Sequence, residues 1–222
     1  MLRPVTVQTP DGVRYYCRAR KGDINVISDY YEGQQIKRYW KPKPGDVVID
    51  CGSNVGKYAL IAARRGARTF AVEPDRSCIP ILRRNRKLND VVDWLTIIHA
   101  AIGASVGERT FYLAKDGARS TTRWVYTYKP RTVTVSEITI DEIVSSYRLT
   151  RLDWLKLDVE ASEYEAIEGA KKSLPLIRYV YLEVHYADLE KKINDVLLPA
   201  GFTVVEMARL DKNRAWLLYS RE

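Results

Sequence analysis

Cysteine is too sparse and too scattered in this chain to staple a fold. Cys17, Cys51 and Cys78 are odd in number and far apart, which excludes a disulfide framework and a zinc ribbon on spacing alone. Buried thiols acting as small hydrophobes are the expectation. No apolar run approaches the ~20 residues of a membrane span, and Met1 to Pro10 alternates polar and apolar residues without a signal-peptide core. A cytoplasmic location follows as the default expectation. Internal repeats and low-complexity stretches are missing too. What remains is a chain of 222 residues, 46% hydrophobic and 29% charged, long enough for one buried core and a short appendage.

Negative charge is in deficit. Lys and Arg outnumber Asp and Glu by 36 to 28, a net +8 that favours anionic partners without naming one. Nucleic acid, a phosphorylated lipid carrier and a nucleotide-sugar all fit. The local clusters Arg83-Arg84 and Arg86-Lys87 read as a solvated helix face.

Residues 1–45 read as a small leading module. Val5 to Val7 and Val13 to Cys17 alternate around Asp11-Gly12, a hairpin signal. A polar segment through Tyr30, Tyr31 and Glu32 follows, and Pro42 and Pro44 punctuate the chain before Gly45-Asp46. Residues 46–222 then alternate. Val47–Asp50, Thr69–Val72, Leu95–Ile98, Trp154–Val159 and Tyr179–Val184 read as buried strands, with helices at Lys57–Arg65 and Ile79–Leu88 and one between the last two strands. Glu108–Leu113 and Thr132–Ile138 look like strands flanking the polar stretch Lys115–Lys129. Phe202–Met207 and Ala215–Tyr219 pair through a turn at Asp211-Lys212-Asn213. The predicted fold is an α/β, Rossmann-like, mostly parallel sheet finished by a C-terminal antiparallel hairpin.

The segment Asp50-Cys51-Gly52-Ser53-Asn54-Val55-Gly56 joins a strand to a helix. Its glycines let backbone approach a ligand, and Asn54 tolerates a left-handed conformation. The dinucleotide pattern G-x-G-x-x-G is not met, because Asn54 stands where its second Gly makes room for a pyrophosphate. A ligand without phosphate fits better, and S-adenosylmethionine is one. Glu73 follows Asp50 by 23 residues, close to the ~20 expected for a ribose-binding acid. The expected cofactor wall is Asp50, Gly52, Ser53, Asn54, Gly56, Glu73, Pro74, Ala100 and His99, the last either near the adenine or a structural histidine.

Pro44-Gly45-Asp46 before this loop, Val72-Glu73-Pro74, Asn85, Asn89, Ala101-Ile102-Gly103 and Thr139-Ile140-Asp141-Glu142-Ile143 together resemble the FkbM family of methyltransferases. Most specific is Lys156-Leu157-Asp158-Val159-Glu160-Ala161-Ser162-Glu163, similar to the family's K-x-D-x-E-G-x-E with Ala161 in place of Gly. The resemblance covers roughly residues 30 to 185 and implies S-adenosylmethionine as methyl donor and a hydroxyl acceptor on a sugar, glycan or small natural product; with the C-terminal hairpin, residues 46–222 are expected to form a class I methyltransferase domain.

The strand ends carry the expected chemistry. Lys156 and Asp158 share one face of an otherwise apolar strand and Glu160 continues it; Glu183 and His185 do the same on the next strand. Charges so central are costly unless paired or functional. They read either as a catalytic set, with Asp158 the first candidate base and His185 the second, or as an ion-pair network tying the strands together. A divalent metal held by Asp158, Glu160 and Glu183 is possible but not expected. The alternative function is a tRNA or rRNA methyltransferase, suggested by the net charge and by Tyr126 and Tyr128 near Arg123, Lys129 and Arg131. Against it, no RNA-binding module and no Asn-Pro-Pro-Tyr motif occur. The acceptor's identity and the oligomeric state are left open by the sequence.

Overall fold

A computed structural model describes residues 3–18, 22–32, 39–114, 120–122 and 130–221. The chain opens with the hairpin β1 (Val5–Gln8) and β2 (Arg14–Cys17), followed by helix α1 (Asp23–Glu32). Strand–helix alternation begins at β3 (Val47–Cys51), α2 (Lys57–Arg64), β4 (Arg68–Val72), α3 (Ile79–Leu88) and β5 (Leu95–Ile98). Then come β6 (Ala101–Ile102), β7 (Gly107–Leu113), β8 (Arg131–Ile138) and α4 (Ile140–Ser146). The last third holds β9 (Leu152–Leu157), α5 (Glu163–Glu168), β10 (Ile177–Val184), α6 (Ala187–Leu197), β11 (Thr203–Arg209) and β12 (Ala215–Ser220).

Seven strands form the main sheet in the order β11-β12-β10-β9-β3-β4-β5. The five central and right-hand members run parallel, and β12 inserts antiparallel between β10 and β11. This is the mostly parallel sheet with a C-terminal hairpin expected from the alternation. The strand order reverses direction outward from β3 and β9, which makes their carboxyl ends the topological switch point where open α/β sheets bind ligands. β6, β7 and β8 form a separate three-stranded sheet beside the main one.

Period-two alternation sorts the strands' side chains onto two faces. Ile49 and Cys51 of β3 and Leu155 and Leu157 of β9 pack in one layer with Ile140, Ile167 and Ile193 from α4, α5 and α6. Val48 and Trp154 point the other way, toward Leu60 of α2 and Leu82 of α3. Residues of the leading stretch share this second core: Val13, Tyr15, Cys17, Ile27 and Trp40 are buried in it. Asn85 and Asn89 of α3 accept backbone N–H groups of Tyr16 and Arg14 at 2.7 and 2.9 Å, so they satisfy β2 where no strand lies beside it. All three cysteines are free and buried.

The structure differs from the sequence-based expectation in two places. The polar segment through Tyr30–Glu32 is the end of helix α1. β9 stops at Leu157 and not at Val159, because Glu160 and Ala161 adopt left-handed φ values of 51° and 78° and turn the chain out of the sheet. Most of the polar stretch 115–129, including Arg123, Tyr126, Tyr128 and Lys129, lies outside the described residues; Arg131 is exposed at the start of β8.

Trp40 is the keystone of the second core. Its ring meets those of Trp154, Tyr58 and Tyr181 at centroid distances of 5.2, 5.4 and 5.8 Å, in the tilted and edge-on geometries aromatic quadrupoles prefer. Trp40→Ala is expected to destabilise the protein by about 3–5 kcal/mol, read as a lower urea midpoint at unchanged slope. A change below about 1 kcal/mol would show that the leading residues contribute little to the shared core.

Candidate active site

The first end of the site is built by β3, β4 and the turns that leave them. Asp50, the last polar residue of β3, is fully buried. One of its oxygens accepts the N–H of Ala59 in the first turn of α2 at 3.0 Å and the other lies 3.0 Å from Lys156 Nζ. It therefore caps a helix whose N-cap, Gly56, has no side chain to do so. Gly52, Asn54 and Gly56 all have positive φ, of 75°, 50° and 98°. The space freed at the glycines goes to protein, which corrects the expectation that it serves ligand approach: a Cβ on Gly52 would stand 1.8 Å from the Asp158 carbonyl oxygen, and one on Gly56 would strike Leu82. Glu73, at the end of β4, accepts the N–H of Asn54 through one oxygen and that of Asp75 through the other, each at 2.7 Å. Burial pushes its carboxyl up to about 7 against the pull of these two donors.

The second end is a cluster of charges at the carboxyl ends of β9 and β10. Lys156 is buried beneath it. Its ammonium donates to the Cys51 and Gly52 carbonyls at 3.2 Å and sits 3.0 Å from Asp50 and 3.8 Å from Asp158. Burial disfavours the ammonium, but the Asp50 and Asp158 carboxylates outweigh it and hold Lys156 above the ordinary lysine range. Burial likewise works against an ionised Asp158, yet Lys156, His185 and Lys57 keep its carboxyl below the usual range.

His185 organises the rest. Its Nδ1 lies 2.9 Å from Glu163 Oε1, an oxygen that also accepts the Ala161 N–H at 3.0 Å. Its Nε2 faces Glu160 at 3.4 Å and Glu183 at 3.7 Å. Burial pulls the imidazolium down, but the bond to Glu163 and the charges of Glu160 and Asp158 carry it up to about 10. Burial pushes Glu160 up to about 8, with repulsion from Asp158, Glu183 and Glu163 adding to it and His185 resisting. Glu183 is pushed up to about 7 by burial and Asp158, against the pull of His185 and of Arg214, whose Nη1 is 3.7 Å away.

One cavity of about 1260 Å³ joins the two ends. That exceeds the ~300–1,000 Å³ of a typical single-ligand pocket, so two reactants fit side by side. Of the expected residues, Gly52, Ser53, Asn54, Glu73, Pro74, Ala100, Lys156, Asp158, Glu160, Glu183 and His185 line it. Asp50 and Gly56 stand behind the wall. His99 is exposed, with Nε2 3.1 Å from the Pro74 carbonyl, and does not line the cavity.

Several contributors escaped sequence reasoning. The family-like motif Lys156–Glu163 includes Glu163 but gives it no role, and the structure turns it inward to His185. Asn25 and Ser28 of α1 line the cavity from above. α1 is moored there by Arg18, which grips Asp23 at 2.7 Å and donates to the Ser77 carbonyl at 2.9 Å. Thr121 and Thr122 reach from beyond β7 to the Glu160 carbonyl and the Ser162 hydroxyl. These contacts span dozens of residues and leave no local pattern.

The arrangement has counterparts. Residues 50–210 match the model of the methyltransferase FkbM domain. Over 219 residues the chain is 26% identical to the hexuronic acid methyltransferase AglP of Haloferax volcanii, covering 98% of this chain and 84% of that protein. It is 26% identical over 196 residues to the 31-O-demethyl-FK506 methyltransferase FkbM of Streptomyces tacrolimicus, covering 73% and 75%. The solved precorrin-6y C5,15-methyltransferase of Geobacter metallireducens superimposes with a TM-score of 0.52 at 13% identity over 89% of this chain and 88% of that one, a likeness of fold.

The cluster makes stability depend on pH. Glu160 and Glu183 titrate near 8 and 7 in the folded protein against an ordinary 4.5, and His185 near 10 against 6.5. Each group keeps its proton to higher pH when folded, so their joint contribution is full in acid and lost as pH rises through the folded values. The melting temperature is expected to fall across roughly pH 6 to 9, and Glu183→Gln should flatten that slope. A melting temperature that rises over this range in wild type would contradict the assigned proton inventory.

Proposed function

The chain belongs to the FkbM methyltransferase family, which implies S-adenosylmethionine as methyl donor, and on that premise we propose that it methylates a hydroxyl oxygen on a sugar, glycan or small natural product. The observation that carries this reading is the single cavity with a glycine-turn and carboxylate wall at one end and a carboxylate–imidazole cluster at the other. Two relatives act, by their names, on a hexuronic acid and on a demethylated natural product. In this reading residues 46–222 are the catalytic domain and residues 1–45 a leading module whose helix α1 closes the cofactor side.

Gly52, Ser53 and Asn54 offer backbone to the donor, with Glu73, Pro74 and Ala100 completing that wall. Asp50 and Gly56 hold the turn in shape from behind. The buried Glu73 carboxyl suits ribose hydroxyls: its oxygens each have one lone pair engaged by a backbone N–H and one left to accept. When bound, S-adenosylmethionine supplies an electrophilic methyl group on a sulfonium centre.

The chain's own part is to bring the acceptor oxygen into line and take its proton. Asp158, kept ionised by Lys156, accepts the hydroxyl's hydrogen bond and then its proton as the new C–O bond forms. A carboxylate of depressed pKa holds a proton weakly, so the proton passes on to Glu183, which titrates near neutrality. His185, fixed by Glu163, balances the charge of both carboxylates. Orientation of the two reactants in one cavity contributes much of the remaining acceleration.

Two substitutions test the two ends. Glu73→Ala is expected to weaken S-adenosylmethionine binding by about tenfold or more, through loss of charge-assisted bonds worth ~1.5–3 kcal/mol; an unchanged dissociation constant by calorimetry would remove Glu73 from the cofactor wall. Asp158→Asn keeps the shape and removes the charge. Turnover, measured as label from S-adenosylmethionine entering glycan, lipid and RNA pools, should fall at least ~10²-fold with donor affinity nearly unchanged. Lower melting temperature with normal turnover would instead mark Asp158 as a structural ion-pair partner, and label in RNA alone would overturn the acceptor class.

A further inference from the structure

We propose that Asp158, Glu183 and His185 bind one divalent metal cation at the acceptor end of the cavity. One ligand atom from each residue lies within 4.8 Å of the others, which places all three within reach of a single ion at bond lengths of about 2.1–2.4 Å. The residues come from two adjacent strand ends, so the sheet fixes their spacing before any ligand arrives.

The second argument is the orientation of His185. Its side chain is 8% exposed, and Glu163 behind it is fully buried. A buried carboxylate on one ring nitrogen is the arrangement that aims the other nitrogen at a metal and sets the tautomer. Binding the ion displaces the Nε2 proton of His185, while the Nδ1–H bond to Glu163 keeps Nε2 aimed at Glu160 and Glu183, 3.4 and 3.7 Å away. Both distances exceed the about 2.7–2.9 Å of a charge-assisted hydrogen bond, so no short bond locks Nε2 to either carboxylate.

The third argument is the balance of charge. Asp158, Glu160 and Glu183 converge on this end. The nearby cations are divided: Lys156 is 3.0 Å from Asp50 against 3.8 Å from Asp158, and Arg214 is 2.7 Å from Asp211 against 3.7 Å from Glu183. One imidazole nitrogen and two carboxylates suit manganese, iron or zinc better than a purely oxygen-seeking ion. The ion's task rests on the methyl-transfer reading: it takes the acceptor hydroxyl as a further ligand and makes it more acidic. The O–C bond then forms as the C–S bond breaks, its electron pair stays on sulfur, and the hydroxyl proton goes to the second oxygen of Asp158.

The test is a manganese titration of the full chain, followed by electron paramagnetic resonance, without donor or acceptor. One bound Mn²⁺ per chain is expected. Glu183→Gln should weaken it at least about tenfold and Glu163→Gln about 10–100-fold, while both variants melt cooperatively and bind S-adenosylmethionine as wild type does. No binding at about 1 mM Mn²⁺, or binding untouched by both substitutions, would overturn the site. Full methyl transfer by chelator-treated, manganese-free protein would also overturn it and leave the transfer reading standing. Bound manganese in a protein that transfers no methyl group supports the site and counts against the transfer reading.

Discussion

The buried ammonium of Lys156 is the contact on which the site depends. It lies between two carboxylates and two backbone carbonyls, contributed by β3, by the glycine turn and by the end of β9. An ion taken out of water costs several kcal/mol unless its partners replace the lost solvation. Here they do, and in doing so they join the cofactor turn to the acceptor cluster through one nitrogen atom. Asp50 extends the same link to helix α2, so the turn, the helix and β9 share a single electrostatic anchor. The arrangement also divides labour between two carboxylates of one type: Asp50 is spent on structure, and Asp158 faces the cavity.

Much of this was legible in the sequence, for identifiable reasons. Strands β3, β4, β9 and β10 are β-branched or apolar runs with charges at their ends, and the alternation that marked Lys156, Asp158, Glu183 and His185 is the alternation that brings them to one cavity. Asn54 was readable as a left-handed residue, and it is one. What could not be read was of two kinds. Contacts between distant segments, such as Thr121 and Thr122 with the 160–162 turn or Arg18 with Ser77, leave no periodic trace. Roles within the motifs were also hidden: Asp50 and Gly56 hold the turn from behind, His99 stays outside the cavity, and Glu163 turns inward to His185.

The turn after β9 is where the sequence departs from the pattern it otherwise resembles, and where the backbone is least at ease. Glu160 and Ala161 both adopt left-handed conformations, each costing a non-glycine residue roughly 1–2 kcal/mol. Surrounding contacts over-determine the conformation: the Ala161 N–H is held by Glu163, the Glu160 carbonyl by Thr121 and the Ser162 hydroxyl by Thr122. Strain of this kind persists only where the rest of the fold enforces it, and here it turns the Glu160 side chain toward His185.

Gly52 gives the cavity a fixed gauge. A methyl group there would stand 1.8 Å from the Asp158 carbonyl oxygen, so the backbone that receives the donor and the backbone that carries the acceptor cluster are already in contact. Their separation is set by main-chain packing across two neighbouring strands, reinforced by the Lys156 ammonium between them. A reaction that proceeds only when two atoms meet in line at about 3–3.5 Å is sensitive to errors of an ångström. In the proposed reading, seating both reactants against touching main chain makes that distance a property of the sheet itself.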